Sequence, residues 1–224
     1  MNKLRVIEIQ KRVYANNDEN AAILRKELVE NKTYVMNLMS SPGSGKTTML
    51  VSTINRLKNL IKIAVVEADV DSDVDAHTIA DKTGVQVNQL HSGGMCHLDS
   101  GMAREGLEDI KYAEMDFVVI ENIGNLICPA SYDLGQALNA MILSVPEGDD
   151  KPLKYPKMFS KVDVSVVSKI DALSVFSFDF VALEQRVRKL NPNVKIFPIS
   201  AVTGEGMEAW CNYLLTEIKR FQKN

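Results

Sequence analysis

The sequence predicts a doubly wound α/β fold, a mainly parallel sheet with helices on both faces. Three observations predict it: short β-branched runs recur along the chain, helical patterns fall between them, and one run passes through a glycine-containing turn into an apolar helix. The runs are YVMNLM (34–39), KIAVVE (62–67), VQVNQL (85–90), DFVVIE (116–121), AMILSV (140–145), VDVSVV (162–167) and KIFPIS (195–200). Strand and helix in alternation call for crossover connections, hence parallel neighbours. The clearest helices are expected over 46–60, 99–110, 180–190 and 207–221. Ahead of the first run, Ala22, Leu24, Leu28 and Val29 recur at helical spacing between the turn residues Asn16, Asn17, Asp18 and Asn31. Residues 1–33 are therefore read as an N-terminal extension whose helix packs on the rest. Residues 34–224 are read as one phosphate-loop domain that also carries a metal site.

Bulk properties narrow the function classes. With 224 residues, 46% of them apolar and 25% charged, the chain has ample material for a core. A net charge of −3 offers no broad attraction for nucleic acid or an anionic membrane, so neither is an expected partner. The charged start lacks the apolar stretch of a signal peptide, and no run of 18 apolar residues follows, which makes the cytoplasm the expected location. Cys96, Cys128 and Cys211 are an odd set for a disulfide framework and are assigned to metal, redox or packing roles.

The first strand leads into Ser40-Ser41-Pro42-Gly43-Ser44-Gly45-Lys46-Thr47-Thr48 and then a helix, the context a phosphate-binding loop requires. Gly43 and Gly45 let the backbone curl so that N–H groups of Ser44 through Thr48 point inward. Lys46 reaches the β- and γ-phosphates as a catalytic cation, and Thr47 offers its hydroxyl to Mg²⁺. Ser40 stands where this pattern has its first glycine. At a strand end the turn needs no positive φ, so a small residue serves.

The base is read from the later strands. Ser168-Lys169-Ile170-Asp171 is similar to the Asn-Lys-x-Asp guanine motif of GTPases, and Ser200-Ala201 to their second base-contacting loop. The Asp171 carboxylate can accept from guanine N1–H and the 2-amino group, a donor pair that adenine lacks. Lys169 joins the nucleotide contacts. Ser168 replaces the motif's asparagine and removes an amide that ties the loops together.

Two carboxylate clusters follow. The run from Glu67 to Asp75 leaves a strand end beside the expected γ-phosphate. Asp69 is assigned to orient water or a metal-bound water, and Glu121 joins Thr47 and Asp69 as the magnesium set. Asp71, Asp73 and Asp75 are read equally as a solvated face with a helix N-cap or as part of a switch loop.

Cys96 and His97 are adjacent, and Cys128 lies just beyond the strand that ends in Glu121. Two thiols and an imidazole suit Zn²⁺ or Ni²⁺, although by spacing alone they read equally as packing residues. The stretches GGMCHLDSGM, ENIGNLICPASYDLGQ and PEGDDKPLKYPKMF, with SSPGSGKTT and SKID, resemble the nickel-insertion GTPases of hydrogenase maturation, the HypB family, over about residues 35–206. That resemblance implies a P-loop G domain of the SIMIBI type that hydrolyses GTP with Mg²⁺ and dimerises when GTP is bound. It also implies work with a zinc-containing HypA-type accessory protein and, indirectly, with the hydrogenase large subunit. Cys96, His97 and Cys128 correspond to the family's metal ligands at the dimer interface. The chain departs from the family in lacking an N-terminal Cys-x-x-Gly-Cys motif and a histidine-rich tract. It also has Ala68, Ser72, His77, His91 and Met95 at positions where other residues are commoner. An alternative reading is therefore a paralogous GTPase, or a zinc or nickel carrier, serving another metalloenzyme.

Overall fold

The structure is a computed structural model and describes residues 4–8 and 17–223. All seven strands read from the sequence form: β2 (Tyr34–Ser40), β3 (Ile63–Asp69), β4 (Gln86–His91), β5 (Phe117–Glu121), β6 (Leu138–Ser144), β7 (Val164–Ser168) and β8 (Lys195–Pro198). An eighth, β1 (Leu4–Glu8), lies in the stretch read only as an extension and pairs with β4 at the sheet edge. The order is β1-β4-β3-β5-β2-β6-β7-β8 and every pairing is parallel. The chain moves from β2 outward to one side and returns past it to β6. The strand ends around β2 are thus the switch point where such folds bind ligands.

Full burial of β2 explains its near-continuous apolar run, and alternation splits it between two cores. Met36 and Leu38 pack with Met49, Leu50 and Ile54 of α2 (Lys46–Leu57), Ile79 of α3 (Val74–Thr83), and Trp210 and Leu214 of α8 (Met207–Lys223). On the other face Val35 packs with Leu24 and Leu28 of α1 (Asn17–Glu30) and with Met102 and Leu107 of α4 (Ser100–Asp109). Met39 continues that face toward Met158 and Phe159 of the short α6 (Pro156–Lys161), which follows the single-turn α5 (Lys151–Lys154), and toward Leu183 and Val187 of α7 (Phe180–Leu190). Each such buried side chain contributes about 1.5–3 kcal/mol. Arg104 of α4 pairs with Glu27 of α1 at 2.7 Å, seating the N-terminal helix. Among the described residues no helix is long and apolar enough to cross a membrane.

Candidate functional site

The phosphate loop is set by two glycines. Gly43 and Gly45 take φ of 73° and 99°, the left-handed region that other residues adopt at a cost, and Gly45 caps α2. The first N–H groups of α2, from Lys46 onward, therefore open on the concave side of the loop with the helix dipole behind them. Ser40 is fully buried with φ outside the left-handed region, so its place needs no glycine. The hydroxyl of Ser41 donates to Glu147, whose other oxygen accepts from the Ser144 N–H and hydroxyl at 2.8 and 2.7 Å. Glu147 thereby ties the loop to the end of β6. The Ser-x-x-Glu spacing of Ser144 and Glu147 is a capping signature from which this residue was readable.

The base loops meet the phosphate loop directly. Ser168 is buried at the end of β7 and its hydroxyl donates to the Ser44 carbonyl at 2.6 Å. The expected loss concerned an amide between the two base loops; the serine hydroxyl instead reaches the phosphate loop. Lys169, at φ 60°, donates through Nζ to the Gly43 carbonyl at 2.7 Å. Asp171 follows on an exposed 3-10 turn, Ile170–Ser174. The Ile170 N–H donates to the Ile199 carbonyl, so the second base loop abuts the first. In that second loop the buried Ser200 hydroxyl accepts from the Thr203 N–H at 3.1 Å, with half-buried Ala201 beside it.

The carboxylates are arranged differently from the sequence expectation. Glu67 and Glu121 are directly paired across β3 and β5, both buried, and with Asp75 they form a set whose oxygens lie within 4.8 Å of one another. The Thr47 hydroxyl donates to Asp75 at 2.8 Å. Asp69 turns its carboxylate to its own loop and accepts from the N–H groups of Asp71 and Ser72 at 3.1 and 2.9 Å. Asp75 is thus the member of the acidic run that meets Thr47, on α3 rather than on the strand, and Asp73 is the N-cap residue. Both oxygens of Glu121 and one of Glu67 are buried without a hydrogen-bond partner. Desolvation raises both carboxyls; Glu121 pushes Glu67 up further, while Lys46 pulls Glu121 back toward the charged form. Buried, unpaired and mutually repelling oxygens suit a hard cation. Glu67 was missed, although a carboxylate inside the buried run IAVVEAD has to have a partner.

The thiols and imidazole come together as well. Cys96 Sγ stands 3.0 Å from Cys128 Sγ and 3.9 Å from His97 Nδ1, and all three donors lie within 4.8 Å. His97 is buried and its ring stacks on Tyr132 at 3.8 Å and 13°. Burial lowers its pKa, against the pull of Asp99, and so favours the neutral, ligating form. The Cys96 thiol is raised chiefly by its hydrogen bond to Cys128. Asp99 caps α4 through the Met102 N–H at 2.8 Å, which fixes the helix end next to this loop. Cys211 lies apart, buried on α8.

One backbone link joins the clusters. The Ser92 N–H, at the root of the loop bearing Cys96 and His97, donates to the Asp69 carbonyl at 3.0 Å. Asn125 then donates to the Cys96 carbonyl at 3.3 Å, closing the two thiol-bearing loops on each other.

Residues 34–198 match the model of the CobW/HypB/UreG nucleotide-binding domain. The hydrogenase maturation factor HypB of Escherichia coli strain K12 is 41% identical over 217 residues, 97% of this chain and 74% of that protein. The chain belongs to the HypB family. HypB from Helicobacter pylori, solved in complex with nickel, superposes with a TM-score of 0.85 at 41% identity, covering 91% of this chain and 95% of that one. The signal recognition particle receptor FtsY from Elizabethkingia anophelis, at 15% identity and a TM-score of 0.53, shares the fold alone.

Proposed function

We propose that the chain is a GTP-hydrolysing metallochaperone that delivers nickel during hydrogenase maturation. The observation that carries this reading is the pairing of a carboxylate set and a thiol set at the same ends of β3, β4 and β5, joined through Ser92 and Asp69. Gly43, Ser44, Gly45, Lys46, Thr47 and Thr48 bind the phosphates. Lys169, Asp171, Ser200 and Ala201 hold guanine, with Asp171 rejecting adenine for want of donors.

Lys46 neutralises charge that develops on the γ-phosphate, and Asp69 orients the attacking water once its loop turns toward the nucleotide. Thr47 and Glu121, with Asp75 in reach of Thr47 and with Asp69 once its loop turns, are the residues that would hold Mg²⁺. Bound there, that ion would supply Lewis-acid neutralisation of the charge that develops on the leaving group.

Cys96, His97 and Cys128 receive the cargo, Ni²⁺ or Zn²⁺, as two thiolates and a neutral imidazole. Three donors leave a tetrahedral site incomplete, so a second copy brought up by GTP completes or rearranges it, and hydrolysis loosens the ion. A HypA-type zinc protein is the accessory partner on this reading, with the hydrogenase large subunit reached indirectly. GTP turnover and mass in solution, measured with and without Ni²⁺ and Zn²⁺, test it: turnover and self-association that ignore both ions would leave a plain GTPase.

A further inference from the structure

Cys96 Sγ and Cys128 Sγ face each other at 3.0 Å, whereas the sulfurs of a disulfide stand about 2.05 Å apart, so roughly 1 Å of approach separates the two states. Neither residue is held by a strand ladder. Cys96 lies between β4 and α4, and Cys128 lies beyond β5, just before the 3-10 turn Pro129–Ser131. Cys96 is exposed and Cys128 half-buried, while Cys211 is buried in the core and shielded from small oxidants. Access and proximity therefore select one pair out of three thiols.

We propose that Cys96 and Cys128 form a reversible intrachain disulfide, a redox modification site that withdraws two of the three donors from the thiol ion site. The oxidant is a low-molecular-weight disulfide such as oxidised glutathione. The exposed Cys96 thiolate attacks one sulfur of the oxidant, forming a mixed disulfide and expelling one glutathione thiolate. The Cys128 thiolate then attacks the Cys96 sulfur and expels the second. Two electrons pass from the protein thiols to the oxidant, and the two protons end on the released glutathiones, so the exchange balances without another reactant. The product leaves only His97, held against Tyr132, and a single imidazole does not retain Ni²⁺ or Zn²⁺. Bound Ni²⁺ or Zn²⁺ in turn occupies both sulfurs and blocks the exchange. The disulfide rests on the geometry alone; its effect on the ion rests on the metal reading above.

The test equilibrates the full chain with glutathione buffers of graded ratio, with and without prior loading with Zn²⁺ or Ni²⁺, followed by thiol counting and non-reducing peptide mapping. The expected result is a single Cys96–Cys128 link, loss of two of three free thiols, a free Cys211, and near-complete protection by either ion. Reduction should restore both thiols and ion binding. Cys128→Ser should stop at a glutathione adduct on Cys96. A wild-type chain that halts at that adduct, or keeps all three thiols at every ratio, overturns the proposal and leaves the metal reading intact. A link that forms equally with and without added ion upholds the disulfide and refutes the metal reading.

Discussion

Glu67 and Glu121 sit inside β3 and β5, locked by the ladder and buried, whereas Cys96 and Cys128 sit on loops beyond strand ends, with Cys96 in solvent. The ladder fixes the backbone of Glu67 and Glu121 and burial confines their side chains, so that cluster is suited to a hard ion that stays in one geometry. The thiols can change their spacing by loop movement alone. A site that must release its ion needs that freedom, and a site that supports phosphoryl transfer is better without it. The contrast also separates what each cluster does when its ion is missing: buried carboxyls take up protons in the first, and sulfur becomes open to oxidation in the second.

The contrast breaks most sharply if disabling one cluster disables the other. Lys46→Ala should lower GTP turnover by about 100-fold or more, through lost charge at the γ-phosphate, and leave Zn²⁺ binding by the nucleotide-free chain unchanged. Parallel losses in single-turnover assays and metal titrations would show one site instead of two. From the other side, Cys96→Ala or Cys128→Ala should weaken Ni²⁺ and Zn²⁺ on the order of 100-fold. It should also remove any difference between the GDP and non-hydrolysable GTP forms while sparing nucleotide affinity, as calorimetry would report.

Asp171→Asn should weaken GTP by about 10- to 100-fold and relax discrimination among purines, since the amide also donates where the carboxylate only accepts. Competition binding with ATP checks this. Glu67→Gln sharpens the rigid side of the comparison. Because burial raises the Glu67 carboxyl from the ordinary carboxylate range to about 9, the folded chain holds a proton that the unfolded chain releases across that window. Stability without Mg²⁺ is therefore fullest below that window and falls as pH rises through it. The variant should flatten that slope and stabilise the chain by roughly 1–3 kcal/mol at alkaline pH, as thermal melts would show. Ser168→Ala should have the smallest effect, about 1 kcal/mol of GTP affinity from one lost hydrogen bond to the Ser44 carbonyl.

Periodicity and turn chemistry made the sheet and the phosphate loop legible, because each depends on residue type at fixed spacing, whereas spacing left Cys96, His97 and Cys128 equally readable as packing residues and only the family resemblance singled them out. α3 was read only as one of two alternatives, a solvated face with a helix N-cap or a switch loop: Val74–Thr83 has a weak apolar stripe, and Ala76 and Ile79 decide for the helix by packing in the core with α2. The choice between Asp69 and Asp75 as the neighbour of Thr47 needed the backbone turn that Asp69 caps, a contact that no spacing encodes. The Ser168 tie was likewise invisible, since it depends on how closely two loops from distant parts of the chain approach. β1 went unread because five residues at a sheet edge carry little pattern.

The chain's one tryptophan, Trp210 on α8, donates its indole N–H to the Thr53 hydroxyl at 3.1 Å, and Thr53 belongs to the helix that begins at Lys46. The molecule thus carries an intrinsic fluorophore wired to the phosphate end, with Cys96 and Cys128 outside the core cluster that holds it. A shift of α2 on binding nucleotide alters the polarity and hydrogen bonding of the indole, and so its emission. Ion capture at Cys96 and Cys128 is dark to it unless the motion travels through Ser92 and Asp69 into the loop and α2. A change in tryptophan emission on adding Zn²⁺ alone would therefore be a label-free reading of the conversation between the two ends.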